Sequence, residues 1–134
     1  MVKKSTNSAD FLALTSDGWT DVSSNRLVNV VVHTPKPFLF TTIDATLEEH
    51  TGLYISSLIE EQIEKLGPRK IISVVTDNAA NMKLAWRLLE EKFPWIIFDG
   101  CKAHSVDLAA KDFCKVELVS AFINDCVKFG KFFR

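Results

Sequence analysis

The hydrophobic period of this chain changes once, near residue 50, and that change restricts the fold more than any other feature. Upstream of it three strand-like runs follow in quick succession: Phe11-Leu12-Ala13-Leu14, Leu27 to His33, and Phe38-Leu39-Phe40-Thr41-Thr42-Ile43. In the second, Val28, Val30 and Val32 alternate with Asn29 and His33, the pattern of a strand with one face buried. The first is a short unbroken apolar run between turn-formers, as expected of a strand covered on both faces. Val22 to Asn25 and Pro35-Lys36-Pro37 separate the three, and connections that short favour antiparallel pairing.

Downstream, Ile55, Leu58, Ile59, Ile63 and Leu66 recur at helical spacing, with Glu60, Glu61, Glu64 and Lys65 between them and Gly67-Pro68 as a stop. Ile71-Ile72-Ser73-Val74-Val75 returns to an unbroken apolar run. A helical pattern through Leu84, Ala85, Leu88 and Leu89 follows and ends before Pro94. Trp95-Ile96-Ile97-Phe98 predicts a fifth strand, Asp99-Gly100 a turn, and the remainder keeps helical spacing, with one helix over 116–134. The order β-β-β-α-β-α-β-α predicts an α/β fold: a mixed sheet in which an antiparallel meander is extended by parallel strands reached through helices. The ribonuclease H-like sheet has this order. At 134 residues and 47% hydrophobic content one core, and so a single domain over 1–134, is the expectation.

Charge and cysteines narrow the function. Sixteen Lys and Arg against 17 Asp and Glu leave a formal charge of -1, which argues against tight sequence-independent DNA binding by this chain alone. Cys101, Cys114 and Cys126 are an odd set, and the start Met1-Val2-Lys3-Lys4-Ser5-Thr6-Asn7-Ser8 has no apolar leader, so a reducing, intracellular setting is expected. Unbroken apolar stretches run to about six residues, against the ~20 that a membrane helix needs. No membrane partner is expected.

The chemistry concentrates at two acidic segments, Ser16-Asp17-Gly18-Trp19-Thr20 and Val75-Thr76-Asp77-Asn78-Ala79-Ala80-Asn81, each following an apolar run. If the first and fourth strands lie side by side in parallel, Asp17 and Asp77 meet at one sheet end, where a carboxylate pair suits Mg²⁺ or Mn²⁺. Taken singly, each has a structural explanation: Asp-Gly is a turn signal, and Asp77 or Asn78 ahead of a helix is a favoured cap. Cys101-Lys102-Ala103-His104 offers sulfur and imidazole three positions apart. That is two of the four ligands a structural zinc needs, with only Cys114, His33 or His50 to complete it in space. Alternatively His104 contacts a phosphate or orients water, or is a hydrogen-bonded structural histidine.

Taken in order, Ser16-Asp17-Gly18-Trp19-Thr20, Ile43-Asp44-Ala45, Val75-Thr76-Asp77-Asn78-Ala79-Ala80-Asn81 and Cys101-Lys102-Ala103-His104 resemble the front of the hAT (hobo-Activator) transposase catalytic domain. The resemblance is to its branch catalogued as a domain of unknown function, and it runs from about Ala9 to Phe113. It implies a ribonuclease H-like fold with Asp17 and Asp77 as the first two catalytic, metal-binding acids and His104 close to them. By the same resemblance the cofactor is Mg²⁺ or Mn²⁺, loosely bound, the partner is DNA, the location nuclear, and the family reaction metal-dependent DNA cleavage and strand transfer. The chain departs from that family's pattern in one respect that matters. The third acid, a glutamate on a late helix, has no counterpart among Asp99, Asp107, Asp112 and Glu117, so a transposon-derived fragment, catalytically incomplete alone, is the expectation.

The last segment adds an expected contact surface. Val119, Phe122, Ile123, Cys126 and Phe133 share a helix face that Phe129 and Phe132 widen, and its occupant is the chain's own sheet, the remainder of a longer protein, or a second copy by self-association. Two rivals stand beside the transposase reading. One is a non-enzymatic interaction module on the same fold. The other is a doubly wound nucleotide-binding domain, which the chain serves poorly because it has neither Gly-x-Gly-x-x-Gly nor a Gly-Lys-Ser/Thr loop.

Overall fold

The computed structural model describes residues 9–47 and 49–133; the polar start Met1–Ser8 lies outside them. Five strands form one mixed sheet: β1 (Leu12–Thr20), β2 (Arg26–Thr34), β3 (Lys36–Asp44), β4 (Ile71–Thr76) and β5 (Ile97–Gly100), in the spatial order β3-β2-β1-β4-β5. The meander β1-β2-β3 is antiparallel, and β4 and β5 extend it in parallel beside β1. Helix α1 (Gly52–Leu66) leads into β4, and α2 (Ala80–Lys92) connects β4 to β5. The α/β expectation holds, and the order and pairing are those of a ribonuclease H-like sheet.

Alternation explains which face is buried. Leu12 and Leu14 of β1, Val28, Val30 and Val32 of β2, and Ile71 and Val74 of β4 form one core with Ile55, Leu58, Ile59, Ile63 and Leu66 of α1 and Met82, Ala85 and Leu89 of α2. Each such aliphatic side chain is worth about 1.5–3 kcal/mol when fully buried, so the two helices are held chiefly by their apolar stripes. Local signals set the ends of α1. The Thr51 hydroxyl accepts the Tyr54 N–H at 3.2 Å as the N-cap, and Gly67, at φ +95°, sends its N–H back to Ile63 O at 3.0 Å.

Three boundaries differ from the sequence reading. Strand β1 does not stop at Leu14; it runs through Asp17-Gly18 to Thr20, because pairing with β2 continues as far as Thr20 opposite Arg26. The bend comes instead at Asp21, whose carboxylate accepts the N–H groups of Ser23 and Asn25, both at 2.8 Å. Strand β5 likewise continues through Asp99-Gly100, which pair with Val75 and Thr76 of β4, so no turn forms there. Finally, the chain after Cys101 makes two helices, α3 (Lys102–Cys114) and α4 (Glu117–Phe132), with a break at Lys115-Val116.

The structure comprises two compact units, one ending at Cys101 and the other beginning at Lys102. The first is the sheet with α1 and α2. The second is the helical pair, in which no residue of either helix is buried and Phe122, Phe129 and Phe132 are exposed. Its helices carry ion pairs one turn apart, Lys111 with Asp107 at 2.6 Å and Lys128 with Asp125 at 3.2 Å, each exposed and so worth a few tenths of a kcal/mol at most, about 0.3–0.5. No helix among the described residues is long and apolar enough to cross a membrane.

Candidate functional site

Two strands that adjoin in parallel run toward the same side of a sheet; Asp17 lies in the last part of β1 and Asp77 directly after β4. Their register sets Thr15 beside Val75. Asp17 lies two residues past Thr15 in β1, and Asp77 two residues past Val75, as the first residue after β4. Asp17 itself lies inside β1, opposite Asn29 of β2, and is exposed. It belongs to the same alternation as Ala13 and Thr15, on the face away from buried Leu12, Leu14 and Ser16.

Asp77 is held differently. Its Oδ1 accepts the Ala79 N–H at 2.8 Å, closing a tight polar turn between β4 and α2, and its main-chain carbonyl accepts the Thr76 hydroxyl at 2.9 Å. That hydroxyl oxygen in turn accepts the Trp86 indole N–H at 3.1 Å, so the buried Thr76 links the loop to α2. The helix that follows has Ala79 at its N-cap and no side-chain cap.

Beside this loop lies a small cleft of about 190 Å³, lined in part by Trp19, Thr20, Arg26, His50, Asp77 and Asn81. Asp77 faces it and Asp17 is not part of its lining. His50 contributes its side, stacked on Tyr54 with ring centroids 6.3 Å apart. Its Nε2 is buried with no hydrogen-bond partner among the described residues, and an atom shut off from solvent presents no donor to the cleft. A larger, mainly apolar groove of about 540 Å³ sits at the opposite end of β4, between Gly67, Pro68, Arg69, Phe93 and Trp95. It holds neither acid.

The donor set fits a hard cation in kind: two carboxylates are the usual protein contribution to a Mg²⁺ site, the remaining positions being filled by water or substrate phosphate. It is not a complete cage. Among the described residues no group of three or more His, Cys, Asp or Glu side chains is placed to hold a metal, which leaves the zinc arrangement of Cys101 with Cys114, His33 or His50 without support. His33 is engaged within the sheet, 3.0 Å from the Thr15 hydroxyl. Cys101 closes the first unit, its N–H donated to Thr76 O at 2.7 Å, while His104 stands in the first turn of α3 in the second unit and is exposed.

A family model described as a domain of unknown function, DUF659, matches residues 2–129, nearly the whole chain. The chain belongs to the DUF659 family. No curated protein matches it. In this DUF659 chain several residues near Asp77 carry more than the sequence suggested. From the sequence Asn78 reads as a candidate helix cap, Gly100 as part of a turn and His50 as a zinc ligand that could approach in space, while Asn81 and Arg26 have no reading of their own. The sequence signal that could have found them is the pair of amides at positions 78 and 81 around the start of a helix.

Proposed function

We propose that this DUF659 chain is the sheet portion of a hAT-like transposase catalytic domain, in which Asp17 and Asp77 share a divalent cation, Mg²⁺ or Mn²⁺, used in DNA phosphodiester chemistry. What supports the reading most is the parallel pairing of β1 and β4 through Thr15 and Val75, with one acid two residues beyond each of that pair. The bound ion would supply Lewis-acid polarisation of a phosphate oxygen. The chain's own residues would orient it: Asp77 through the Ala79 N–H that its Oδ1 accepts, and Asp17 through its fixed place in the β1–β2 ladder. His104 enters this reading only through the Cys-x-x-His resemblance, as a phosphate contact. Because two carboxylates make a share of a site, we assign the chain by itself cation binding and no DNA cleavage.

Thermal melting tests this. Millimolar Mn²⁺ is expected to raise the midpoint of the wild-type chain, and Asp77→Asn is expected to lose the gain. If neither happens, the metal reading is wrong. A second reading, a transposon-derived interaction module that makes no use of the acids, draws on the exposed Phe122, Phe129 and Phe132 of α4. Concentration-dependent self-association that persists in the double variant Asp17→Asn/Asp77→Asn, with no Mn²⁺ response in the wild type, favours that alternative.

A further inference from the structure

We infer that Asn78 and Asn81 are positioning residues: their side-chain amides clamp the loop bearing Asp77 to the end of β5 on one side and to the segment before α1 on the other. The inference rests on the metal reading only for what the loop finally holds. Asp77 stands one residue beyond β4, so no strand ladder fixes it. Asn78 donates from Nδ2 to the Cys101 carbonyl at 3.4 Å. Its Oδ1 fills the space where Gly100 has no side chain, and a Cβ there would also stand 2.5 Å from Asn78 Cγ. Gly100 is buried and pairs with Thr76, and Cys101 N–H is bonded to Thr76 O, so the surface that receives Asn78 is itself tied to the last residue of β4. On the other side Asn81 donates from Nδ2 to the His50 carbonyl at 2.8 Å, while its Oδ1 accepts Met82 N–H at 3.0 Å.

Ordinary helix capping does not account for this pattern. A capping side chain accepts N–H groups of the helix that it starts. Asn81 accepts Met82 N–H, but Asn78 and Asn81 also donate to carbonyls of other segments, 23 and 31 residues away in sequence, which capping does not require. One bond leaves the loop 77–79 itself and the other leaves the first turn of α2 directly after it, so the two flank Asp77, the only carboxylate of that loop. Outer partners of this kind fix the orientation of a liganding carboxylate, and their loss typically lowers metal affinity by about 10-fold or more.

The test compares Asn78→Ala and Asn81→Ala with Ile63→Val in the whole chain. Ile63 is fully buried in α1, so its truncation lowers stability without touching the loop. Without metal, hydrogen exchange of the Ala79 amide, the one bonded to Asp77, is expected to quicken in both asparagine variants by far more than that of Val74, and to change in parallel with Val74 in Ile63→Val. With metal, Mn²⁺ affinity read by water-proton relaxation is expected to fall about 10-fold in the asparagine variants and to hold in Ile63→Val. Equal changes at Ala79 and Val74 in the asparagine variants, or Mn²⁺ affinity that follows stability alone, would overturn the clamp. A wild-type chain that binds no Mn²⁺ defeats the metal reading, and the exchange comparison then decides the clamp without it.

Discussion

Asp17 lies within β1 and Asp77 just past the end of its parallel neighbour β4, and the chain secures them by opposite means. Asp17 sits within nine residues of β1, whose ladder to β2 runs unbroken from Ala13 to Thr20. The backbone ladder fixes its place, and no hydrogen bond from a neighbouring side chain is needed to do so. Asp77 stands outside any ladder, and what holds it is chemical: the Thr76 hydroxyl, the Asn78 and Asn81 amides, and the room left by Gly100. The contrast implies that changes around Asp77 cost stability and shift the loop, whereas changes around Asp17 do neither.

The sharpest way to break the contrast is Gly100→Ala. The added methyl collides with the Asn78 amide, and the neighbour must give up its bond to Cys101 O to make room. Overpacking at a buried position typically costs about 1–3 kcal/mol, and a urea midpoint lowered by that amount is the expected result. Adding Asn78→Ala removes the collision, so the double variant is expected to recover part of the loss. A single variant as stable as wild type would mean that the loop is not seated on β5.

Thr76→Val comes next. It keeps the shape and removes the oxygen that accepts the Trp86 indole N–H and donates to the Asp77 carbonyl. With Trp86 half-buried, about 1 kcal/mol is the expected cost in urea unfolding, and the indole fluorescence is expected to change as its partner is lost. The matching change beside Asp17 is Asn29→Ala, which removes an exposed bond from the Thr42 hydroxyl. A shift within about 0.5 kcal/mol is expected there. If Asn29→Ala costs as much as Thr76→Val, the two acids are held alike and the contrast fails.

The same difference decides what could be read from the sequence. Val28, Val30 and Val32, or Ile55 through Leu66, announce their elements because burial of one face imposes a period, and a period is visible in a single chain. The parallel neighbourhood of β1 and β4 was legible too, since the strand-helix alternation after residue 50 leaves few other topologies. The extent of β1 was not. Asp17-Gly18 carries the local chemistry of a turn, and the pairing that overrides it depends on Leu27 and Val28 ten residues away. Asp99-Gly100 misled in the same manner, for Gly100 is needed there to admit Asn78, a contact across 22 residues that no local rule encodes. Bonds from side-chain amides to main-chain carbonyls of segments distant in sequence leave no periodic trace.

The smallest effect expected concerns the turn that ends the β1–β2 ladder. The Asn25 side-chain amide and backbone N–H, helped by Ser23 N–H, hold the Asp21 carboxyl below the usual aspartate range, and the Thr46 hydroxyl and N–H do the same for Asp44. A carboxyl whose folded-state pKa is depressed adds stability that is complete above its unfolded value, near about 3.9, and is lost as pH falls through the lower folded value. The window therefore lies below about pH 4. Because both groups are open to solvent, the contribution is small, and it appears as a slope in the pH dependence of the urea midpoint. Asp21→Asn is expected to flatten that slope while leaving the Mn²⁺ response of the chain intact, since the turn lies four residues past Asp17 and the ladder between them is main-chain. A profile identical to wild type in acid would show that the turn is held by its backbone alone, and a diminished Mn²⁺ response would show that Asp17 depends on side chains after all, as Asp77 does.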